Sequence, residues 1–197
     1  RNNITSSTYH GFAVASLVLS VAPKAKLVIA KVLDDEGMGD PKKTAQGIRY
    51  CINKKCDIIN CSIAGPMDND LEDAINEAYS KGIIVVAATG NDGRNRLLYP
   101  ASYLNCISVG SINKSLDVSP FSNYNVFMTM VAPGEDIIFD INGEKIKDSG
   151  TSFSAPLVSG TLALLKEKLK EELGRKPKYS ELYGELIEID YFCAVNK

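Results

Sequence analysis

Gly150-Thr151-Ser152-Phe153-Ser154-Ala155-Pro156 leads from a polar, turn-forming segment straight into a long apolar helix pattern. Val158, Leu162, Leu165 and Leu169 recur at helical spacing, and charges fill the other face from Lys166 onward. A serine in the first turn of such a helix stands beside unpaired backbone N–H groups at the positive end of the helix dipole. That setting stabilises negative charge, which an alkoxide-like nucleophile and a tetrahedral oxyanion both need. The plainer reading makes Thr151 or Ser152 an ordinary N-cap. The rest of the chain decides between the two.

Working outward, Lys26–Val32, Asp57–Ser62, Ile83–Ala88 and Cys106–Gly110 read as strands. They are short, rich in Val and Ile, and apolar on both faces in places, as buried parallel strands are. Helical patterns lie between them at Thr44–Asn53 and Leu71–Lys81, the latter stopped by Gly82, and a smaller one at Gly11–Leu19 precedes the first strand. Strand and helix alternate at lengths suited to βαβ units. The expected fold is therefore α/β, a doubly wound, mostly parallel sheet with helices on both faces. The chain, 197 residues with 45% apolar and 23% charged content, has the size of one domain with a real core. Internal repeats and low-complexity linkers are absent from the sequence. The charged stretch Lys166–Lys178 reads as a solvated helix face followed by a turn at Lys176-Pro177.

Composition removes several function classes. A net charge of −2 gives no support for a nucleic-acid partner, and no apolar run approaches a membrane span. Five cysteines cannot all pair within the chain. Cys61 and Cys106 sit in strand-like runs, where a small buried thiol is the expected role. Cys51, Cys56 and Cys61 are five residues apart, which is not a metal-ligand spacing. No Gly-rich phosphate loop follows the first strand, which weighs against a nucleotide-binding domain.

Two further features bear on Ser152. His10 is the single histidine of the chain and precedes a glycine and a short apolar helix. Alone it reads as a capping or surface residue. Ala87-Ala88-Thr89-Gly90-Asn91-Asp92-Gly93 closes the most apolar strand with a Gly-Asn turn. In a doubly wound sheet the carboxyl ends of the strands are where ligands sit, and a side-chain amide there can donate to a developing oxyanion. The plain alternative for Asn91 is an ordinary turn residue.

Taken together, these segments resemble the subtilisin-like serine proteases (subtilases) across nearly the whole chain. His10-Gly-Phe-Ala-Val-Ala-Ser16 is similar to the family's histidine motif, and Val21–Leu33 to the next strand. Asp57–Gly65 is similar to its substrate-flanking strand and Ala88-Thr-Gly-Asn91 to its oxyanion-hole asparagine motif. Tyr99-Pro-Ala101 and Val131-Ala-Pro-Gly134 match two further landmarks. Gly150–Pro156 matches the serine motif, the most specific of all. The resemblance implies a three-layer subtilisin-like peptidase domain over residues 1–197, hydrolysing peptide bonds of a protein or peptide substrate through an acyl-enzyme. Ser152 would attack the scissile carbonyl, and His10 would take its proton and return it to the leaving amine. Asn91, with the Ser152 backbone N–H, would hold the oxyanion. Loss of such an asparagine in a subtilisin costs about 10²–10³ in turnover. The chemistry calls for neither metal nor organic cofactor.

Two departures from the family pattern matter. The triad aspartate of relatives lies on an interior strand upstream of the histidine, and none of the nine residues before His10 is an aspartate. Asp34 and Asp35 fall on the loop after the next strand. Without the upstream strand two interior edges would stay unpaired, an arrangement proteins avoid. That segment is therefore expected to belong to the same protein, in cis or as a cleaved chain. Its true absence would cost about 10⁴ in turnover, and would leave a catalytically inactive binding or regulatory module as the alternative function. Second, Ser16–Pro23 leaves no room for the calcium loop that many relatives insert there. Phe12 and Ala13 also replace the polar pair usual after the His-Gly start.

The resemblance also implies where substrate lies. Glu36-Gly37-Met38 and Ser62-Ile63-Ala64-Gly65 would flank it as strands, with Ala88, Thr89, Gly90, Asp92 and Leu98 around the primary pocket. Leu98 is bulky for a pocket wall, so a smaller or partly filled pocket is expected. Asp34, Asp35 and Glu36 either favour basic residues on the acyl side or form a solvated acidic loop. Asp92 could attract a basic side chain at the pocket base. Relatives are mostly secreted, whereas odd, buried cysteines lean toward a reducing compartment, so localisation stays open.

Overall fold

The run Ile84–Ala88 is buried at all five positions, as a strand covered on both faces must be. It is the second strand of the sheet in a computed structural model that describes residues 6–141 and 143–195. In chain order the elements are α1 (Ser6–Val21), α2 (Pro41–Asn53), β1 (Ile58–Cys61), α3 (Asn69–Ser80), β2 (Ile84–Ala88), β3 (Cys106–Ile112), β4 (Met130–Pro133), β5 (Ile137–Ile141), β6 (Glu144–Asp148), α4 (Thr151–Leu173) and α5 (Tyr179–Val195). β1 to β4 form one parallel sheet in sequence order, and β5 and β6 form an antiparallel hairpin.

Alternate residues of β2 feed opposite cores. Val85 and Ala87 join Ile59, Cys61 and Cys106 under α2 and α3, through Ala45, Ile48, Ile52, Leu71, Ile75 and Ala78. Ile84, Val86 and Ala88 join Ile107, Val109 and Met130 under α4 and α5, through Val158, Leu162, Leu165, Leu169, Leu182 and Leu186. These are the three expected layers, helices on both faces of a parallel sheet. The helices start where their caps dictate. Asp40 accepts from the Lys42 N–H (2.8 Å) ahead of Pro41, and Asp68 accepts from the Leu71 N–H (3.0 Å). Cys61 and Cys106 are buried, and burial pushes the Cys61 thiol up to about 12.

Lys26–Val32, expected as a strand, is not one. The run carries no strand assignment, and its only pairing nearby is an isolated bridge between Leu33 and Gly39. Leu27, Val28 and Ile29 are exposed. Ala30 still packs on the α2–α3 core, and a Cβ at Gly47 of α2 would lie 2.5 Å from Val32 Cγ1. Apolar patterning sets which faces can be covered, but a strand also needs a neighbour to receive its hydrogen bonds. Among the described residues none lies along this run. A groove of 580 Å³ lies along Ile29–Asp34, walled by Lys43, Gln46, Gly47 and Tyr50 of α2.

Three elements were not anticipated from the sequence: β4, the β5–β6 hairpin and α5. The hairpin packs Phe139, Ile141 and Ile146 onto Ala13 and Leu17 of α1 and Phe153 of α4. α1 begins at Ser6 rather than Gly11, so His10 lies inside the helix. The α1–α4 crossing depends on Gly160, where a Cβ would sit 2.7 Å from Val21 Cβ and 3.1 Å from the Val18 carbonyl. Because α1 carries His10 and α4 carries Ser152, this close approach sets their separation. Gly160→Val is expected to lower stability by about 1–3 kcal/mol through overpacking. It should depress Ser152 reactivity at temperatures where thermal denaturation shows the protein fully folded.

Candidate active site

Parallel strands deliver their carboxyl ends to one edge of a sheet, and three sequence-predicted residues meet there. Ser62 follows β1, Asn91 follows β2, and Ser152 is the second residue of α4. The N-cap of α4 is Gly150, with no side-chain capping bond, so neither Thr151 nor Ser152 plays the capping role. The Ser152 N–H belongs to the first-turn donors that a helix cannot satisfy by itself.

Ser152 and Ser62 hold each other. The Ser62 hydroxyl donates to the Ser152 carbonyl (2.7 Å), and the Ser152 hydroxyl donates to the Ser62 carbonyl (3.2 Å). The first bond has a cause four residues on. Pro156 lacks the N–H that would bond the Ser152 carbonyl in an unbroken helix, and Ser62 supplies the donor instead. Rotation of Ser152 about χ1 would free its Oγ for a base.

Asn91 is oriented by Thr151, whose part the sequence reading missed. The Thr151 N–H and hydroxyl both donate to Asn91 Oδ1 (2.9 and 2.8 Å), and the Gly90 N–H donates to Thr151 Oγ1 (3.2 Å). With its oxygen engaged, Asn91 presents its NH₂ as the remaining polar end, beside Gly150. Asn123 is a second residue missed in the sequence. Fully buried, it accepts on Oδ1 from the N–H groups of Asp92 (2.9 Å) and Arg94 (3.2 Å). Its Nδ2 donates to the Thr89 carbonyl and to Asp92 Oδ2, both at 3.2 Å. Gly90, at φ +100°, leaves the room: a Cβ there would meet Asn123 Nδ2 and Leu98 Cδ1, each at 2.6 Å. The only sequence signal for Asn123 was a polar residue in a Ser-Asn-Tyr turn, which is unremarkable.

A cavity of 310 Å³ opens beside Ser152, walled by Ile63, Ala64, Ala88, Gly90, Asn91, Asp92, Leu98 and Thr151. Most of the expected pocket residues thus converge. Thr89 is fully buried and its side chain lies outside the lining. Gly65 bridges Tyr99 through two backbone bonds (2.9 and 3.0 Å). Glu36, Gly37 and Met38 lie on the turn closed by the Asp34–Met38 backbone bond, and are not among the residues of this cavity. The Asp92 carboxylate is paired with Arg96 (2.9 Å) and held low chiefly by the Asn123 amide, with the arginines adding to it.

His10 packs its ring against Phe153, the residue after Ser152, at 6.2 Å between centroids. Burial lowers its basicity, and the Asp148 carboxylate partly opposes that effect. Among the described residues no group of His, Cys, Asp and Glu is arranged to hold a metal ion. No described helix is long and apolar enough to cross a membrane.

A known family accounts for this arrangement. The family model described as the subtilase family matches residues 1–181. The chain belongs to the subtilase family. The major intracellular serine protease of Bacillus subtilis (strain 168) is 42% identical over 178 residues, covering 86% of this chain and 56% of that protein. Subtilisin BL of Lederbergia lenta is 38% identical over 153 residues, covering 77% and 57%. Among solved structures, the prenylagaramide maturation protease PagA superposes with a TM-score of 0.76 at 32% identity, covering 86% of this chain and 68% of that one. The patellamide maturation protease PatA superposes with a TM-score of 0.81 at 29% identity, covering 90% and 71%. This subtilase chain spans little more than half the length of the first two relatives.

Two outcomes follow from the site. Asn123→Ala strands two N–H groups and a carbonyl, so a loss of about 2–4 kcal/mol in denaturant unfolding is expected, with the Asn91 loop loosened. With one histidine in the chain, its imidazole resonance is unambiguous. Its NMR titration midpoint should fall below the usual value of about 6.5, because burial disfavours the cation. Asp148→Asn should move it lower still, since the carboxylate favours the cation.

Proposed function

We propose that this chain is the single peptidase domain of a serine endopeptidase that cleaves peptide bonds through an acyl-enzyme on Ser152. The observation that carries the reading is the pinning of Asn91 Oδ1 by Thr151, next to Ser152 at a helix N-terminus and at the rim of a cavity. An amide fixed by its oxygen offers its NH₂ without reorganising, which is what an oxyanion donor needs. In this reading Ser152 Oγ turns from the Ser62 carbonyl, loses its proton to His10, and attacks the scissile carbonyl. The oxyanion then lies between Asn91 Nδ2 and the Ser152 N–H. His10 next protonates the leaving amine, and water repeats the sequence on the acyl-enzyme.

The carboxylate that orients His10 would come from a further segment of the same protein, pairing as a strand beside β1. The run Lys26–Val32, which has no strand partner among the described residues, and the position of β1 at the end of the sheet order support that placement. An added strand would give both edges a partner. The cavity favours a mid-sized apolar side chain before the cut, because Ile63, Ala64, Ala88 and Leu98 line it and Asp92 already carries the charge of Arg96. The named proteases among the relatives support peptide-bond chemistry, and the maturation proteases among the structural neighbours are compatible with selective processing.

The test is a fluorophosphonate probe on the full-length folded protein. Labelling should map to Ser152 and vanish in Ser152→Ala, and that variant should lose turnover on the order of 10⁶, as in a subtilisin. An unlabelled, fully folded protein would instead favour a binding or regulatory module on the same fold.

A further inference from the structure

The end of α2 is closed by a backbone motif that brings two cysteines together. The Cys56 N–H donates to the Cys51 carbonyl at 3.1 Å, and the Lys55 N–H donates to the Ile52 carbonyl at 2.9 Å. Lys55 itself stands at φ +58°, in the left-handed region. Two nested bonds around one left-handed residue make a Schellman motif, whose outer two residues characteristically touch through their side chains. Here those outer residues are Cys51 and Cys56. A lysine holds the left-handed conformation where glycine is the usual choice, so the contacts around it must fix it there.

The side-chain contact is present. Cys51 belongs to the core under α2 and α3, and Cys56 packs against the same core. The two thiols lie within hydrogen-bonding reach of each other, and neither is in a disulfide. Cys61 and Cys106 belong to that core as well, but both are buried, whereas Cys56 is half-buried. A reagent from solvent therefore meets Cys56 first, with Cys51 directly behind it. Among the described residues no third His, Cys, Asp or Glu joins the pair to make a metal site.

We propose that Cys51 and Cys56 form a redox modification site, a dithiol that closes to a disulfide by exchange with low-molecular-weight disulfides of the glutathione type. The exchange balances in two steps. Deprotonated Cys56 attacks one sulfur of the small disulfide; that S–S bond breaks, a mixed disulfide forms on Cys56, and one small thiolate leaves and takes up the proton. The Cys51 thiolate then attacks the Cys56 sulfur, forming the Cys51–Cys56 bond and releasing the second small thiol. Two protein thiols are oxidised, and one small disulfide is reduced to two thiols. Burial pushes the Cys51 thiol up to about 11 and also raises that of Cys56, so exchange is slow at neutral pH and quickens as pH rises. Closure fastens the last turn of α2 to the chain entering β1. The site stands apart from Ser152 and does not depend on the peptidase reading.

The experiment holds the full-length folded protein in glutathione buffers of graded ratio at about pH 8, where thiolate is more abundant. Remaining thiols are then blocked with iodoacetamide and the tryptic peptides are mapped. Trypsin cuts after Arg49, Lys54 and Lys55, so Cys51 and Cys56 fall on different peptides. Oxidation should join peptide 50–54 to peptide 56–81, and excess reductant should separate them. Peptide 56–81 also carries Cys61, so two variants assign the bond. Cys61→Ala should keep the joined pair, and Cys56→Ser should abolish it. The closed form should melt about 2–8 °C above the reduced form, because the bond restricts the unfolded chain and fits the native turn. A joined pair that persists in Cys56→Ser, a Cys56–glutathione adduct that never closes, or a lower melting temperature on closure would overturn the proposal. So would alkylation of both cysteines after prolonged exposure to oxidised glutathione alone.

Discussion

Everything at this site depends on how α4 lies along the sheet. Three side-chain contacts mark its course: Ser152 to Ser62, Ser159 to Asn60 (2.9 Å), and Lys166 to Asp57. The helix numbers rise as the strand numbers fall, so α4 runs antiparallel to β1. Its N-terminus must then reach the carboxyl ends of the parallel strands, where the loops bearing Ser62 and Asn91 begin. Burial of Val158, Leu162, Leu165 and Leu169 against the sheet fixes that course. A buried leucine of this kind is worth about 2–5 kcal/mol on truncation to alanine, so several together leave the helix little freedom to slide. Ser152 is therefore positioned by a hydrophobic core whose members on α4 include Val158 and extend to Leu169.

Polar bonds complete what burial begins. A helix started at Gly150 with no capping side chain leaves its first donors open, and Thr151 turns one of them toward Asn91. The proline at position 156 leaves the Ser152 carbonyl open, and Ser62 fills it. Asn123 gathers the backbone of Thr89, Asp92 and Arg94 around one buried amide. Each of these is an orphaned backbone group satisfied by a side chain from a distant stretch of chain. Together they hold the Asn91 amide and Ser152 in one frame.

The local code was readable wherever neighbouring residues settle the outcome. Apolar periodicity located α2, α3 and α4 and the central strands, since it reflects which faces are covered. It misled at Lys26–Val32, where the pattern was correct but no ladder partner lies among the described residues. The hairpin escaped notice because Glu144-Lys-Ile-Lys-Asp148 is mostly charged, and its apolar members become visible only against α1. His10, Asn91 and Ser152 were legible as motifs, and the match to the subtilase family covers all three. Thr151 and Asn123 were not, because they act through contacts 60 and 31 residues away in the chain.

The sequence by itself determined the fold class, the family and the types of residue available for chemistry, because these follow from patterning and from motifs a few residues long. Only the tertiary structure decided the direction of Asn91, the partner of the Ser152 carbonyl and the engagement of Asp92 by Arg96. Those depend on distances between segments far apart in the chain. Side-chain type fixes what a group can donate or accept, but the packing of α4, α1 and the hairpin on the sheet fixes to whom.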